Sequence, residues 1–195
     1  MDRRVILAGL AAALATPAFA QTSGSPATGS AAGAGRMSGQ QMSQADMQHM
    51  QETMRLGMMA LETSRIAQQK AQNADLKQFA TFEVQEQTIM SEVLKSMMEP
   101  ATTAATGAAA TATPAQMDAK GREMIQKLQS AQAGQAFDRE YLQGQMEGHS
   151  ALLQVQTQYL QSNPQNREHA NVAKLARGMI TEHIALLEDI QSKLK

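Results

Sequence analysis

The chain has no cysteine and no tryptophan, and only 3% of its 195 residues are aromatic. Without thiols there can be no disulfide staples, zinc ribbons or iron–sulfur clusters, and their absence suits a compartment where thiols would be oxidised. Four Phe and two Tyr cannot build the stacking platforms of a single-strand binder. A formal net charge of −1 lacks the basic excess that nucleic acid demands. No alternating β-branched run occurs, and beyond the N-terminus no apolar run approaches the roughly 20 residues of a membrane span. There is no Gly-rich phosphate loop, no Gly-x-Ser-x-Gly elbow and no kinase or zincin motif. The expectation is a protein that is not an enzyme, with no nucleic-acid partner and no transmembrane segment.

The N-terminus carries an address. Arg3 and Arg4 form a basic n-region, Val5 to Ala15 an apolar h-region, and Ala18-Phe19-Ala20 a small-x-small cleavage pattern, which together read as an export signal over residues 1–20. Arg3-Arg4 also fits a twin-arginine signal, so the route of export stays open. Cleavage would remove Asp2, Arg3 and Arg4, leaving 15 basic and 17 acidic residues and a periplasmic or secreted product with a charge of −2. Residues 21–42 are Ser/Gly/Ala-rich with few large apolar side chains, too few to offset the entropy of ordering, and read as a disordered tether. Residues 43–195 form one domain, interrupted by an Ala/Thr connection over 100–114 that is bracketed by Pro100 and Pro114.

The remaining segments are Gln-, Ala-, Met- and Leu-rich, with apolar residues three and four apart, the period of amphipathic helices. Ser43 with Asp46 predicts a capping box opening a helix that runs to about Gln72. A second helix spans about Ala74 to Met98. A shorter one begins at Thr113-Pro114, the third long helix follows Gly134, and a fourth follows Asn163-Pro164. The fold class is all-α: an antiparallel up-down four-helix bundle, ferritin-like, with a short extra helix before the third long one.

Several of these residues carry a family likeness. Leu61-Glu62 through Ala67, Ala71 and Asn73, then Lys77-Gln78-Phe79-Ala80, Phe137-Asp138-Arg139-Glu140-Tyr141-Leu142, His149, Asn171 and His183 resemble the "domain of unknown function 4142" family. The likeness covers roughly residues 55–191 and implies an exported bacterial bundle, similar to ferritin-like folds and often described as a predicted outer membrane protein. It names no activity. The chain departs from the family pattern in the second helix, with Glu86-Gln87 where the family usually carries Asp-His.

If both tight turns lie at one end of the bundle, the 1.5 Å rise per residue places Glu62, Glu86, His149 and His183 roughly 16 to 28 Å from that end. His149 and His183 fall on apolar stripes, while Glu83, Glu86 and Gln87 interrupt the stripe of the second helix. Glu62, Glu86, His149 and His183 are therefore the candidate metal-ligating layer. No Glu-x-x-His is present, so the two-iron pattern of ferritin-like carboxylate proteins is not expected. The alternative is a Glu/His layer that fixes helix register with no metal. In that case, replacing both imidazoles by leucine should leave stability unchanged or raise it.

Methionine is abundant, with 15 residues. Met47, Met50, Met54 and Met58 recur at helical spacing beside His49. Thioethers suit Cu(I), but such a stripe is first of all core packing. Asp46 and His49 at the helix start read as capping and solvent contact. The Met-rich first helix is the candidate surface for a homodimer, and no envelope partner has a signature in the sequence. The functional expectation is a non-enzymatic protein of the cell envelope, serving stress tolerance or surface interaction. The alternative is a ferritin-like protein that stores or buffers Fe, Zn or Cu as its divalent metal cofactor.

Overall fold

The computed structural model describes residues 42–98 and 117–194. The expected signal segment, nearly all of the 21–42 tether and the 100–114 connection lie outside them. Among the described residues every element is α-helical: α1 (Gln44–Lys70), α2 (Ala74–Met98), a short α3 (Ala119–Ser130), α4 (Gln135–Gln161) and α5 (Arg167–Lys193). No helix among them is long and apolar enough to cross a membrane.

The helix ends have local causes. Ser43 and Asp46 form the expected capping box, with Ser43 Oγ accepting from Asp46 N–H and Asp46 accepting from Ser43 N–H at 2.8 Å. Asp118 caps α3 by accepting from Gly121 N–H, so among the described residues the start of this helix belongs to Asp118. Asn166 caps α5 through His169 N–H. Between α3 and α4, Gly134 has φ +148° and ψ −179°, a conformation essentially reserved for glycine.

The helix directions follow from contacts at their ends. Asp138, in the first turn of α4, accepts the N–H groups of Gln72 and Asn73 at 3.0 and 2.8 Å, so α4 begins where α1 ends. At the far end, Tyr159 of α4 donates to Asp46, and His169 of α5 meets His49 at 2.9 Å. The turn at Asn73 and the turn at Pro164 therefore lie at opposite ends of the bundle, which corrects the same-end arrangement expected from strict alternation. The reason is α3. It runs beside α1 and in the same direction, with Arg55 paired to its cap Asp118 and Lys70 donating to the carbonyls of Leu128, Gln129 and Ala131 at its end. The chain thus returns to the starting level before α4 begins, and α2 and α4 run parallel. This is the one-crossover connectivity associated with ferritin-like bundles.

Two apolar clusters fill the interior. One, around Phe79, Phe137, Tyr141 and Leu187, lies nearer the α1–α2 turn, and the other contains Leu56, Leu152, Ala176 and Ile180. On α1 the buried face is not the methionine stripe. Met50 is buried, but its companions on that face include Thr53, Gly57, Ala60, Thr63, Ser64 and Ala67, whereas Met47 is 44% exposed. Small and hydroxyl side chains let the neighbouring helices approach and bond across the core, a preference that hydrophobicity alone does not register.

Candidate metal centre

The stripe that α2 turns inward contains Leu76, Ala80, Glu83, Gln87, Met90 and Leu94, so Glu83 occupies a position where a leucine would be ordinary. Its side chain is fully buried. His149 of α4 is fully buried too, and His183 of α5 is 9% exposed. Their ligand-capable atoms converge. His149 Nε2 and His183 Nδ1 are 3.0 Å apart, and Glu83 Oε2 lies 3.1 Å from His183 Nδ1 and 3.4 Å from His149 Nε2. Glu83 Oε2 is thus in buried ion-pair contact with both rings, as Glu86 Oε2 is with His183, though neither oxygen lies on the line of an N–H···O bond. Among the described residues this is the one group of three His or acidic side chains close enough to share a metal ion.

The surroundings orient each group. His149 Nδ1 donates to the Gln145 carbonyl at 2.8 Å, which leaves the lone pair of a neutral ring on Nε2, facing the cluster. Gln87 Nε2 donates to Glu83 Oε1 at 2.9 Å, leaving Oε2 as the free oxygen. On the outer side of His183, Nε2 is 2.7 Å from Glu86 Oε2, and the Glu86 side chain is 34% exposed. Burial by itself would raise the Glu83 carboxyl, but the two imidazoles beside it pull it down to about 2. Burial disfavours charge on His183, yet Glu83, Glu86 and Glu182 together hold its pKa above the ordinary value.

Ligand atoms placed about 2.0–2.1 Å from a tetrahedral ion are about 3.3 Å from one another. Separations of 3.0, 3.1 and 3.4 Å match three such ligands. Each donor also has the outer partner that metal-binding side chains characteristically have: a carbonyl behind one His, a carboxylate behind the other, and an amide behind the Glu.

Of the four residues expected in this layer, His149 and His183 meet, Glu86 stands behind His183, and Glu62 is elsewhere. The Glu62 side chain is 39% exposed and pairs with Arg65 at 2.6 Å, because it lies off the α1 face that carries Ala60, Thr63 and Ser64. The carboxylate that faces the imidazoles is Glu83.

A glycine on α1 supports this geometry. A Cβ at Gly57 would collide with the side-chain oxygen of Gln87. Gly57→Ala should displace that amide from Glu83 while leaving the bundle folded, since alanine is the better helix former by about 1 kcal/mol. The expected result is a melting temperature close to wild type with divalent-metal affinity lower by about tenfold, measured by competition with a chromophoric chelator.

The other two of the four histidines pair in a second polar layer towards the α4–α5 turn. His49 Nε2 donates to Gln156 Oε1 at 2.6 Å, so its Nδ1 accepts from His169 Nε2 at 2.9 Å. Gln156 Nε2 donates to Thr53 Oγ1 at 2.9 Å, and the ring of His49 stacks on Tyr159 with centroids 4.1 Å apart. His49 is thus buried, not a solvent contact. Burial, reinforced by the nearby His169, lowers its pKa from 6.5 to about 4. The unfolded chain therefore takes up this proton first. The stability of the neutral pair is complete above about pH 6.5 and drains away as the pH falls towards 4. A shift of this size corresponds in full to about 3.5 kcal/mol at ~1.4 kcal/mol per pH unit, of which roughly 2 is lost between pH 7 and pH 4.5. Denaturant midpoints at pH 7 and pH 4.5 should show a wild-type loss that is smaller by this amount in His49→Gln. Equal losses in both proteins would contradict it.

The family described as a domain of unknown function (DUF4142) matches residues 31–190. The chain belongs to this family. No curated protein and no solved structure matches it. Several of the residues that carry the likeness in this DUF4142 chain are structural. Phe137 is core, Asp138 binds the α1–α2 turn, and Tyr141 bonds Ser64 at 2.8 Å. His149 and His183 belong to the candidate centre.

Proposed function

We propose that this protein binds a single divalent metal ion through Glu83 Oε2, His149 Nε2 and His183 Nδ1, as an exported bundle that holds or buffers the ion. The observation that carries the reading is the convergence of three ligand-capable atoms at 3.0–3.4 Å, two imidazole nitrogens and an oxygen of a fully buried carboxylate. Two imidazoles and one carboxylate suit Zn²⁺ and Fe²⁺ rather than thioether-seeking Cu(I). One inward carboxylate and two histidines provide for one ion, not the bridged pair of a di-iron bundle. The export reading of residues 1–20 puts the ion in the cell envelope. There the protein acts by binding rather than catalysis.

Equilibrium dialysis against Zn²⁺ followed by elemental analysis tests this. The wild type should retain one ion per chain. Glu83→Gln, which keeps the shape but gives up the charge, should bind at least tenfold more weakly, and Glu86→Gln about 10- to 100-fold more weakly through the loss of its support to His183. Retention of zinc that is indifferent to both substitutions would sink the proposal.

A further inference from the structure

The two sides of the Glu83–His149–His183 layer are closed differently. On the side of the α1–α2 turn, Phe79 stands edge-on to both imidazoles, with ring centroids 5.8 Å from His149 and 5.4 Å from His183. Here an aromatic ring occupies the position one helical turn before Glu83. One turn further along on the opposite side there is space instead. A cavity of about 20 Å³ lies among the four long helices, with Thr53 from α1, Gln87 and Met90 from α2, Leu152 from α4, and Ala176 and His183 from α5 in its wall. That volume accommodates about one water molecule. Its wall also supplies polar groups able to hold one.

Thr53 is the polar group whose commitments can be traced. Its Oγ1 accepts from Gln156 Nε2 at 2.9 Å. The nearest imidazole nitrogen, His49 Nε2, is 3.5 Å away and already carries a proton directed at Gln156 Oε1. The Thr53 hydroxyl proton is therefore available to a partner in the cavity. Of the three candidate ligands His183 lines this cavity, and a fourth position left open to such a space is the pattern of exchangeable metal sites, whereas structural sites close all four positions with side chains.

Resting on the metal reading above, we propose that the bound ion keeps its fourth position open towards this cavity. It takes there one water-sized ligand, either water or a diatomic molecule, hydrogen-bonded by Thr53. The site is thus an exchangeable one, selective by size. Phe79 excludes ligands from one side, and the apolar wall of Met90, Leu152 and Ala176 limits length on the other. The Thr53–Gln156–His49–His169 chain fixes the hydroxyl that receives the ligand.

The test uses the full exported chain loaded with Co²⁺, whose visible absorption reports coordination. One equivalent of Co²⁺ should bind and give an intense tetrahedral-type spectrum. A single equivalent of cyanide should shift that spectrum, and the three-atom thiocyanate should not. Ala176→Leu, which fills the cavity without touching a ligand, should keep Co²⁺ bound and lower cyanide affinity by about tenfold or more. Thr53→Val, of the same shape but without the hydroxyl, should lower it by about tenfold, the loss of one hydrogen bond. If Ala176→Leu does not fold, Thr53→Val carries the test alone. Absence of Co²⁺ binding in the wild type would refute the metal reading and this inference with it. Co²⁺ binding with a spectrum that cyanide leaves unchanged would overturn the open position alone. A cyanide shift equal in wild type, Ala176→Leu and Thr53→Val would show that the ligand does not use the cavity and would also overturn it.

Discussion

Replacing His149 and His183 together with leucine should destabilise the metal-free bundle by about 3–5 kcal/mol, the penalty of stranding a buried charge. The sequence alone suggests the opposite, a neutral or stabilising change, because removing the buried polar demand of both imidazoles at once is usually less costly than leaving half of it. The structure shows that they are not a closed unit. Glu83 is fully buried between them, and once both rings are gone its carboxylate keeps only the Gln87 amide. The triple replacement Glu83→Leu, His149→Leu and His183→Leu removes the whole polar demand and should regain wild-type stability or exceed it. Urea unfolding of the three proteins with EDTA present distinguishes the cases. A double variant as stable as wild type would mean that Glu83 does not depend on the imidazoles, contrary to the geometry described above.

Asp138→Ala should cost about 2–4 kcal/mol. The carboxylate is 2% exposed, and each oxygen accepts one backbone N–H from the α1–α2 turn. Truncation leaves two donors unpaired in a part-buried position, at roughly 1–3 kcal/mol each before relaxation. Asp138→Asn retains one acceptor oxygen and should lose about half as much. Because Asp138 fixes where α4 starts relative to α1, it also sets the depth of His149. Metal affinity should therefore fall in Asp138→Ala even at temperatures where the protein is fully folded. Thermal melts and metal titrations on the two variants check both statements. A loss under 1 kcal/mol in Asp138→Ala would show that water satisfies the turn.

Most of the helical layout could be read from local chemistry. The capping box at Ser43, the break at Asn73 and the interruption at Gly134 are signals carried by a few adjacent residues, and α1, α2, α4 and α5 form close to where those signals place them. Helix direction is not a local property. It depended on whether the connection between α2 and α4 spans the bundle, and α3 running alongside α1 makes it do so. Glu62 stays at about the depth of the histidines after that reversal and is excluded by its face, since it lies off the α1 stripe that carries Ala60, Thr63 and Ser64. His149 and His183 were legible because an imidazole on an apolar stripe stands out. Glu83 was less so, although the spacing Leu76, Ala80, Glu83, Gln87, Met90, Leu94 puts it on the inward stripe and Glu86 off it. The His49–His169 pair was the hardest to see. Its partners Thr53 and Gln156 are polar residues that read as surface by type, and only the packing of α1 against α4 and α5 makes them interior.

Anomalous diffraction from crystals grown with Zn²⁺ addresses the central claim most directly, because it locates the ion itself. One peak per chain is expected, about 2.0–2.2 Å from Glu83 Oε2, His149 Nε2 and His183 Nδ1, with Glu86 behind His183 and Gln87 on the other oxygen of Glu83. A Glu83–His149–His183 cluster free of anomalous density, with zinc only at surface residues such as Glu62, would contradict the account.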